Sequence, residues 1–219
     1  MKNVKGWWLP DYDTHFDSML KEVEGEFAYQ KEHRDYVLSW VKDFDVAIDV
    51  GANVGFWSKD FCRNFTTVWA FEPVNDIVEC YRENMKSFDN WHLEQVGLSD
   101  KQGENVEIYK GIDNSGGASL VKDFESATSQ VEYIDLKMLD NYINEFNKVD
   151  LIKADIQGHE YEFLVGGMKF LEVFNPVLSL ELPIRTKEEK DYKEKTVTLL
   201  SGLGYNEVGR HKKDTVFIK

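Results

Sequence analysis

The sequence feature that most constrains the fold is the stretch at residues 46–57, VAIDVGANVGFW. A short apolar run predicts a buried strand, and it passes through a loop of small residues into a helical pattern. A strand, a tight glycine loop and a helix together open a nucleotide-binding βαβ unit. The glycines let the main chain turn sharply and approach a ligand, and the helix start offers unpaired N–H groups.

The spacing of this loop is not that of a dinucleotide-binding fingerprint. The fingerprint is G-x-G-x-x-G, whereas this loop has the form D-x-G-x-N-x-G, with Asp49, Gly51, Asn53 and Gly55. A second apolar run at 67–72 ends in Glu72, whose carboxylate can accept hydrogen bonds from both hydroxyls of a ribose. The alternative is an ordinary strand-to-helix turn with no ligand.

Strand and helix patterns alternate along most of the chain, which predicts a parallel sheet with helices on both faces. The stretch around 105–136 departs from this alternation and predicts a side hairpin with a polar loop at 113–120. Two strands joined by a short turn predict an antiparallel pair at the end. The predicted strands are 46–50, 67–72, 91–96, 105–110, 131–136, 149–155, 176–183, 205–210 and 215–218, and the predicted helices are 29–41, 55–64, 74–87, 137–146, 159–171 and 187–202.

The first 44 residues precede this unit, so we divide the chain into a leader region at 1–44 and a main domain at 45–219. The leader is turn-rich and aromatic, and we expect it to be irregular up to the helix at 29–41. Its adjacent Trp7 and Trp8 need a surface on which to lie. Two interpretations remain open, in which the leader either packs against the domain or forms a lid over a ligand.

Acidic residues stand at four predicted strand ends: Asp49, Glu72, Asp155 and Glu181. Ligands of open α/β sheets bind outside the carboxyl ends of the strands, so these ends mark the candidate site. An acidic residue at the end of an apolar strand is costly unless it is paired or solvated in a cleft. For Asp155 the alternative is a cap on the helix that follows it.

In these pieces the chain resembles the FkbM family of S-adenosylmethionine-dependent methyltransferases. The matching sequences are DVGANVG at 49–55, FEP at 71–73 and IKADIQGHE at 152–160, with a weaker match, SLE, at 179–181. The third is the most specific of them, since the glycine loop alone is typical of class I methyltransferases in general. The resemblance covers about 46–182 and leaves out the aromatic leader.

The resemblance implies a Rossmann-like class I fold: a mostly parallel seven-stranded sheet with helices on both faces and an antiparallel C-terminal strand. It implies S-adenosylmethionine as methyl donor, S-adenosylhomocysteine as product, and a hydroxyl acceptor on a sugar, glycan or small natural product. It places the methionine and ribose side at the glycine loop, the ribose hydroxyls at Glu72 and the adenine at Gly97 and Leu98. The implied cofactor residues are Asp49, Gly51, Asn53, Gly55, Glu72, Gly97 and Leu98.

Methyl transfer from a sulfonium is an in-line displacement, so positioning supplies much of the rate acceleration. A hydroxyl acceptor also loses its proton, which a carboxylate or a histidine can take. Asp155 is the first catalytic candidate, as base, as an orienting group or as a ligand to a divalent metal; His159 and Glu181 are the others. His159 stands at the start of a predicted helix, whose dipole favours the neutral imidazole, although a solvated role is equally open. No spacing specifies a metal site.

Composition narrows the class of protein further. The net charge of −14, from 26 basic and 40 acidic residues, argues against nucleic acid or an anionic membrane as partner. The apolar runs are too short for a membrane span, and we expect no signal peptide. Cys62 and Cys80 are expected to be buried free thiols, consistent with a reducing cytoplasm. An NAD-dependent oxidoreductase and a non-catalytic binding protein remain the alternative functions.

Overall fold

A computed structural model describes residues 1–22, 24, 29–122 and 130–219. Its centre is a seven-stranded sheet with the order β11-β12-β10-β9-β3-β4-β5. Strands β10, β9, β3, β4 and β5 are parallel to one another, and β12 runs antiparallel to both β10 and β11. The strands are β3 (Val46–Val50), β4 (Thr67–Phe71), β5 (Trp91–Glu94), β9 (Leu151–Ala154), β10 (Val177–Glu181), β11 (Asn206–His211) and β12 (Asp214–Ile218). The predicted fold class is therefore confirmed.

Alternate residues of each strand point to opposite faces of the sheet, and helices cover both faces. In β3, Ile48 packs in one buried cluster with side chains of α5 to α7, while Ala47 packs in another with side chains of α2 to α4. The helices are α1 (His15–Glu22), α2 (Lys31–Leu38), α3 (Phe56–Asn64), α4 (Asn75–Met85), α5 (Glu160–Val165), α6 (Met168–Phe174) and α7 (Lys187–Gly202). None of the described helices combines the length and the apolar character needed to cross a bilayer.

A separate three-stranded sheet stands beside the main one. Its strands β7 (Gly103–Lys110) and β8 (Gln130–Lys137) are antiparallel, which confirms the predicted side hairpin. The short strand β6 (Gly97–Leu98), expected as a loop, pairs in parallel with β8. The predicted loop at 113–120 lies within the described residues and contains a short 3-10 turn, Ser115–Gly117.

The structure corrects the expectation of an irregular leader. Strands β1 (Lys2–Val4) and β2 (Trp7–Leu9) form an antiparallel hairpin, and α1 follows it. The hairpin is fastened to α4, because the side chain of Asn84 accepts a hydrogen bond from Trp8 N and donates one to Trp8 O, at 2.7 and 2.9 Å.

Two predicted helices also differ in the structure. The helix expected at 137–146 is a 3-10 helix, Leu139–Glu145, and the one expected at 159–171 is divided into α5 and α6. The division falls at Gly166 and Gly167. A Cβ atom at Gly166 would lie 1.9 Å from the main-chain oxygen of Ser99, so the chain passes too close to the end of β6 for any side chain there.

Candidate functional site

A cavity of about 290 Å³ opens at the carboxyl ends of β3, β4 and β9. One wall comes from the loops after these strands, another from the side sheet, and a third from the leader. Most of the site residues predicted from the sequence line this cavity. Those that do are Gly51, Asn53, Glu72, Gly97, Leu98, Asp155 and His159.

The glycine loop is pressed against the loop after β9. Gly51 has a φ of 71°, and a Cβ atom there would lie 2.1 Å from the main-chain oxygen of Asp155. No other residue fits this close approach without moving the main chain. The N–H groups of Gly51 and Ala52 both donate to Phe71 O, at 3.0 and 3.1 Å, so the loop is tied to the end of β4 as well.

Glu72 follows β4 and is nearly buried, with 5% of its surface exposed. Its two carboxylate oxygens accept hydrogen bonds from the main-chain N–H groups of Asn53 and Val74, at 2.9 and 3.1 Å. Burial raises the pKa of Glu72 to about 7, although these two donors and Lys153 act in the opposite direction. Each carboxylate oxygen accepts one of these hydrogen bonds, so lone pairs remain for a ligand.

The Asp49 carboxylate, by contrast, does not line the cavity. It is fully buried and accepts hydrogen bonds from Ser58 Oγ at 2.6 Å and from Lys153 Nζ at 3.0 Å. Burial works against the charged form of Lys153, but Asp49 and Asp155 together raise its pKa overall. Asp49 therefore holds a lysine that does reach the cavity wall. Gly55 also lies away from the cavity: it precedes α3 with a φ of 96° and packs against Met85 and Tyr81.

Asp155 and Glu181 are joined by one amide. Gln157 Nε2 donates to Asp155 Oδ1 at 2.5 Å and to Glu181 Oε2 at 2.6 Å. Glu181 is buried and forms an ion pair with Lys213, which lines the cavity although Glu181 does not. Asp155 is therefore the member of this group whose carboxylate is placed to meet a ligand.

His159 lies toward the side sheet. Its Nε2 atom is 2.9 Å from the hydroxyl oxygen of Ser99, which directly follows β6. Burial lowers the pKa of His159, and Glu162 only partly offsets this, so the neutral imidazole is favoured. Within the described ranges, no group of three or more His, Cys, Asp or Glu side chains is placed to hold a metal ion.

A neighbouring carboxyl stabilises the loop that carries Asp155. Glu160 is buried at the start of α5, and its Oε1 atom accepts a hydrogen bond from Ile156 N at 3.0 Å. Burial raises the pKa of Glu160 to about 8. Gln157, within the same turn, has a φ of 53°. Glu160 thus stabilises this turn, although its own carboxyl group does not line the cavity.

The sequence did not identify several residues of the cavity wall. Lys153 is one of them. The sequence did contain an indication of its importance, because a lysine inside an apolar strand requires a partner for its charge. The leader supplies four more, and α3 supplies Trp57, whose indole N–H donates to Gln30 Oε1 at 2.6 Å. The leader residues that line the cavity are His15, Phe16, Tyr29 and Gln30.

The leader is held beside the cavity by Asp13, which is fully buried. Its Oδ1 atom accepts a hydrogen bond from Phe16 N at 2.8 Å, and its Oδ2 atom accepts one from Ser115 N at 2.9 Å. An aspartate bonded to the N–H three residues later is a common signal of a helix start. That pattern could have predicted the start of α1. No local pattern predicts the hydrogen bond from Ser115 N to Asp13, because the two residues are far apart in the sequence.

The sequence profile of the methyltransferase FkbM domain matches residues 49–207 of the chain. The 2-O-methyltransferase NoeI of Sinorhizobium fredii is 28% identical over an alignment of 158 positions, which covers 64% of this chain and 65% of that protein. The hexuronic acid methyltransferase AglP of Haloferax volcanii is 27% identical over 143 residues, 65% of this chain and 58% of that protein. The match thus spans less than two thirds of either relative.

Solved structures resemble the chain in fold. The crystal structure of an FkbM methyltransferase from Methylobacillus flagellatus superposes with a TM-score of 0.54 at 16% identity, covering 83% of this chain and 45% of that one. A structure described as a putative rRNA methylase from Clostridium thermocellum gives a TM-score of 0.52 at 10% identity, covering 89% and 96%. At these identities the likeness concerns the fold alone.

Proposed function

The chain belongs to the methyltransferase FkbM family, and from this premise we propose that it transfers the methyl group of S-adenosylmethionine to a hydroxyl group of a sugar or other small molecule. The names of two relatives, a 2-O-methyltransferase and a hexuronic acid methyltransferase, support a carbohydrate acceptor. The net charge of −14 supports a small acceptor over a nucleic acid.

The observation that carries this proposal is the placement of Glu72 beside the glycine loop. Its carboxylate is held by the N–H of Asn53, at the cavity wall, and retains lone pairs that can accept from ribose hydroxyls. Because Gly51 has no side chain, its loop packs closely against the main chain of Asp155, and a cofactor could then lie across the ends of β3 and β4. Residues 51–53 would then face the ribose and methionine portions.

The adenine would lie at the side-sheet end of the cavity, beside Gly97 and Leu98. Apolar side chains of β7 and β8, Ile108 and Ile134, line the same end and suit a flat aromatic base. We assign His159 to this end because of its contact with Ser99, which revises its proposed role from base to cofactor contact.

The acceptor would enter beside Asp155. In the transfer, the acceptor oxygen forms a bond to the methyl carbon while the carbon–sulfur bond breaks and its electron pair returns to sulfur. The hydroxyl proton passes to Asp155, whose cavity-lining carboxylate is oriented by Gln157. Glu181 then acts indirectly, since it fixes Gln157 from the buried side and neutralises Lys213.

The leader, with residues 1–44 as its proposed bounds, would cover the site rather than form a separate unit. Its residues contribute to the wall, and Gln30 orients Trp57 beside the proposed acceptor position. Cys62 and Cys80 are buried free thiols, which supports our proposal of a reducing compartment such as the cytoplasm.

Isothermal titration calorimetry with S-adenosylhomocysteine and with NAD tests the cofactor assignment. We expect micromolar binding of S-adenosylhomocysteine and none of NAD. Binding of NAD instead would restore the oxidoreductase alternative, and binding of neither would favour a non-catalytic protein. Transfer of labelled methyl groups to a panel of free and nucleotide-linked sugars, including uronic acids, then tests the acceptor class.

A further inference from the structure

Two residues that line the cavity each carry a side-chain polar atom without a hydrogen-bond partner in the part of the chain that the structure describes. These atoms are the hydroxyl oxygen of Ser115 and the side-chain oxygen Oδ1 of Asn53, and both are buried. Only 3% of the Ser115 surface is exposed. A buried polar atom without a partner is destabilising, so two of them beside one cavity point to a ligand that completes their hydrogen bonds.

The two residues are neighbours in space although they come from different parts of the chain. A Cβ atom at Gly116, next to Ser115, would lie 3.5 Å from Asn53 Nδ2. Asn53 N donates to Glu72 Oε2, which places this residue beside the carboxylate assigned to the ribose. Ser115 therefore borders the same portion of the cavity as Glu72, and it does so from the side of the leader.

The position of Ser115 is built by specific contacts. Its main-chain N–H is held by Asp13, and Gly116 N donates to Asn114 Oδ1 at 2.9 Å. Such a turn does not depend on the serine hydroxyl, because its hydrogen bonds use main-chain N–H groups and the side chains of Asp13 and Asn114. The hydroxyl is therefore free for a ligand, and its loss should leave the turn intact.

The chemistry of a ribose matches these free groups. A ribose hydroxyl that donates a hydrogen bond to Glu72 still has lone pairs, which can accept a hydrogen bond from the Ser115 hydroxyl. The other ribose hydroxyl can donate to Asn53 Oδ1. We propose that Ser115, together with the Asn53 side chain, forms a second set of hydrogen bonds to the ribose hydroxyls of the methyl donor, complementary to Glu72. This inference rests on the proposed function, because it takes the nucleoside as given.

The methionine ammonium group is the competing ligand group, since it too could donate to Ser115 Oγ and Asn53 Oδ1. S-adenosylhomocysteine carries both the ribose and this ammonium, whereas 5′-methylthioadenosine carries only the ribose. Calorimetric dissociation constants for both compounds, measured on the wild type and on Ser115→Ala, therefore separate the two. Ser87→Ala, at an exposed position outside the cavity, is the matched control.

We expect Ser115→Ala to weaken the binding of both compounds by about five- to tenfold, as for the loss of one hydrogen bond, and Ser87→Ala to change neither. Versions of 5′-methylthioadenosine that lack the 2′- or the 3′-hydroxyl complete the test. For one of them the serine substitution should have no further effect, because the bond is already absent. This readout separates a direct contact from a displaced turn.

Three results would overturn the inference. Unchanged affinity of Ser115→Ala for both compounds would remove the contact, and weakened binding of S-adenosylhomocysteine alone would assign it to the ammonium group. An equal loss for the natural and both deoxy ligands would indicate a merely structural role. In each of these cases the wild type still binds S-adenosylhomocysteine, so the proposed function stands; if the wild type binds neither compound, both fall.

Discussion

Two walls of the cavity differ in construction. The sheet edge, which we define as the loops after β3, β4 and β9, is held by contacts among parallel strands that are neighbours in the sheet. The cover, which we define as residues 10–17 and 113–117, is held instead by hydrogen bonds between residues 13–16 and the loop at 113–117, such as the one from Ser115 N to Asp13 Oδ2.

This difference separates two kinds of contribution. The sheet edge presents the groups assigned to chemistry and to the ribose, Asp155 and Glu72, and each is oriented by short hydrogen bonds. The cover presents Ser115 and aromatic surface, and its two parts are joined by the buried carboxylate of Asp13 and by main-chain hydrogen bonds from Thr14 N and His15 N to Asp113 O. Substitutions at the sheet edge should therefore affect catalysis and folding strongly, and those in the cover should cost less stability and leave the chemical step largely intact.

The largest effect is expected for Asp155→Asn. Asparagine keeps the shape and can still accept from Gln157, but it cannot take the acceptor proton. We expect turnover to fall by about 10²- to 10⁴-fold, with the dissociation constant of S-adenosylhomocysteine changed less than about twofold. Single-turnover transfer of labelled methyl measures the first and calorimetry the second. Near-normal turnover would mean that the base lies elsewhere, in the cover or in the acceptor itself.

A pair of glycines tests how closely the sheet edge is packed. Gly51 and Gly6 have similar φ angles, 71° and 88°, but a Cβ atom meets main-chain oxygen at 2.1 Å in the first and nothing within 4 Å in the second. We expect Gly6→Ala to cost about 1–2 kcal/mol in the free energy of unfolding, and Gly51→Ala at least about 2 kcal/mol more. Urea denaturation measures both, and equal costs would contradict the close packing.

A smaller effect is expected in the cover, for Asp13→Ala. The change leaves the N–H groups of Phe16 and Ser115 without their acceptor, at a cost of about 1–3 kcal/mol in stability. Asp11→Ala is the control, because the Asp11 side chain is 77% exposed and forms a surface ion pair with the N-terminus, so we expect a cost below about 0.5 kcal/mol. If Asp13→Ala abolished turnover as completely as Asp155→Asn, the distinction between cover and sheet edge would fail.

The same contrast explains how far the sequence predicts the molecule. Gly51 and Glu72 were predicted because the glycine loop and the second strand form a local pattern with a known geometry. Asp49 was predicted to contact the ligand, but it pairs with Lys153, which stands opposite it on β9 and 104 residues away. The ion pair follows from strand register, and the alternation of elements does not specify which strands are neighbours.

The sequence could not predict how the cover is assembled, for a similar reason. Asp13 caps α1 locally, but its second bond reaches a loop whose position depends on the side sheet. Part of the connection between β7 and β8, residues 123–129, lies outside the described residues. The role of the leader as a lid, and the boundary at residue 44, therefore stay predictions that the substitution of Asp13 can examine.

The central claim, that Glu72 binds the ribose of the methyl donor, can be tested by the pH dependence of S-adenosylhomocysteine affinity. With burial raising its pKa to about 7, Glu72 is mostly protonated at pH 6 and mostly ionised at pH 8. Because the ionised carboxylate is the stronger acceptor of a hydrogen bond from a ribose hydroxyl, wild-type affinity should rise about tenfold between these values. In Glu72→Gln it should be weaker and flat. A flat wild-type profile, or a Glu72→Gln variant that follows the wild type, would contradict the claim.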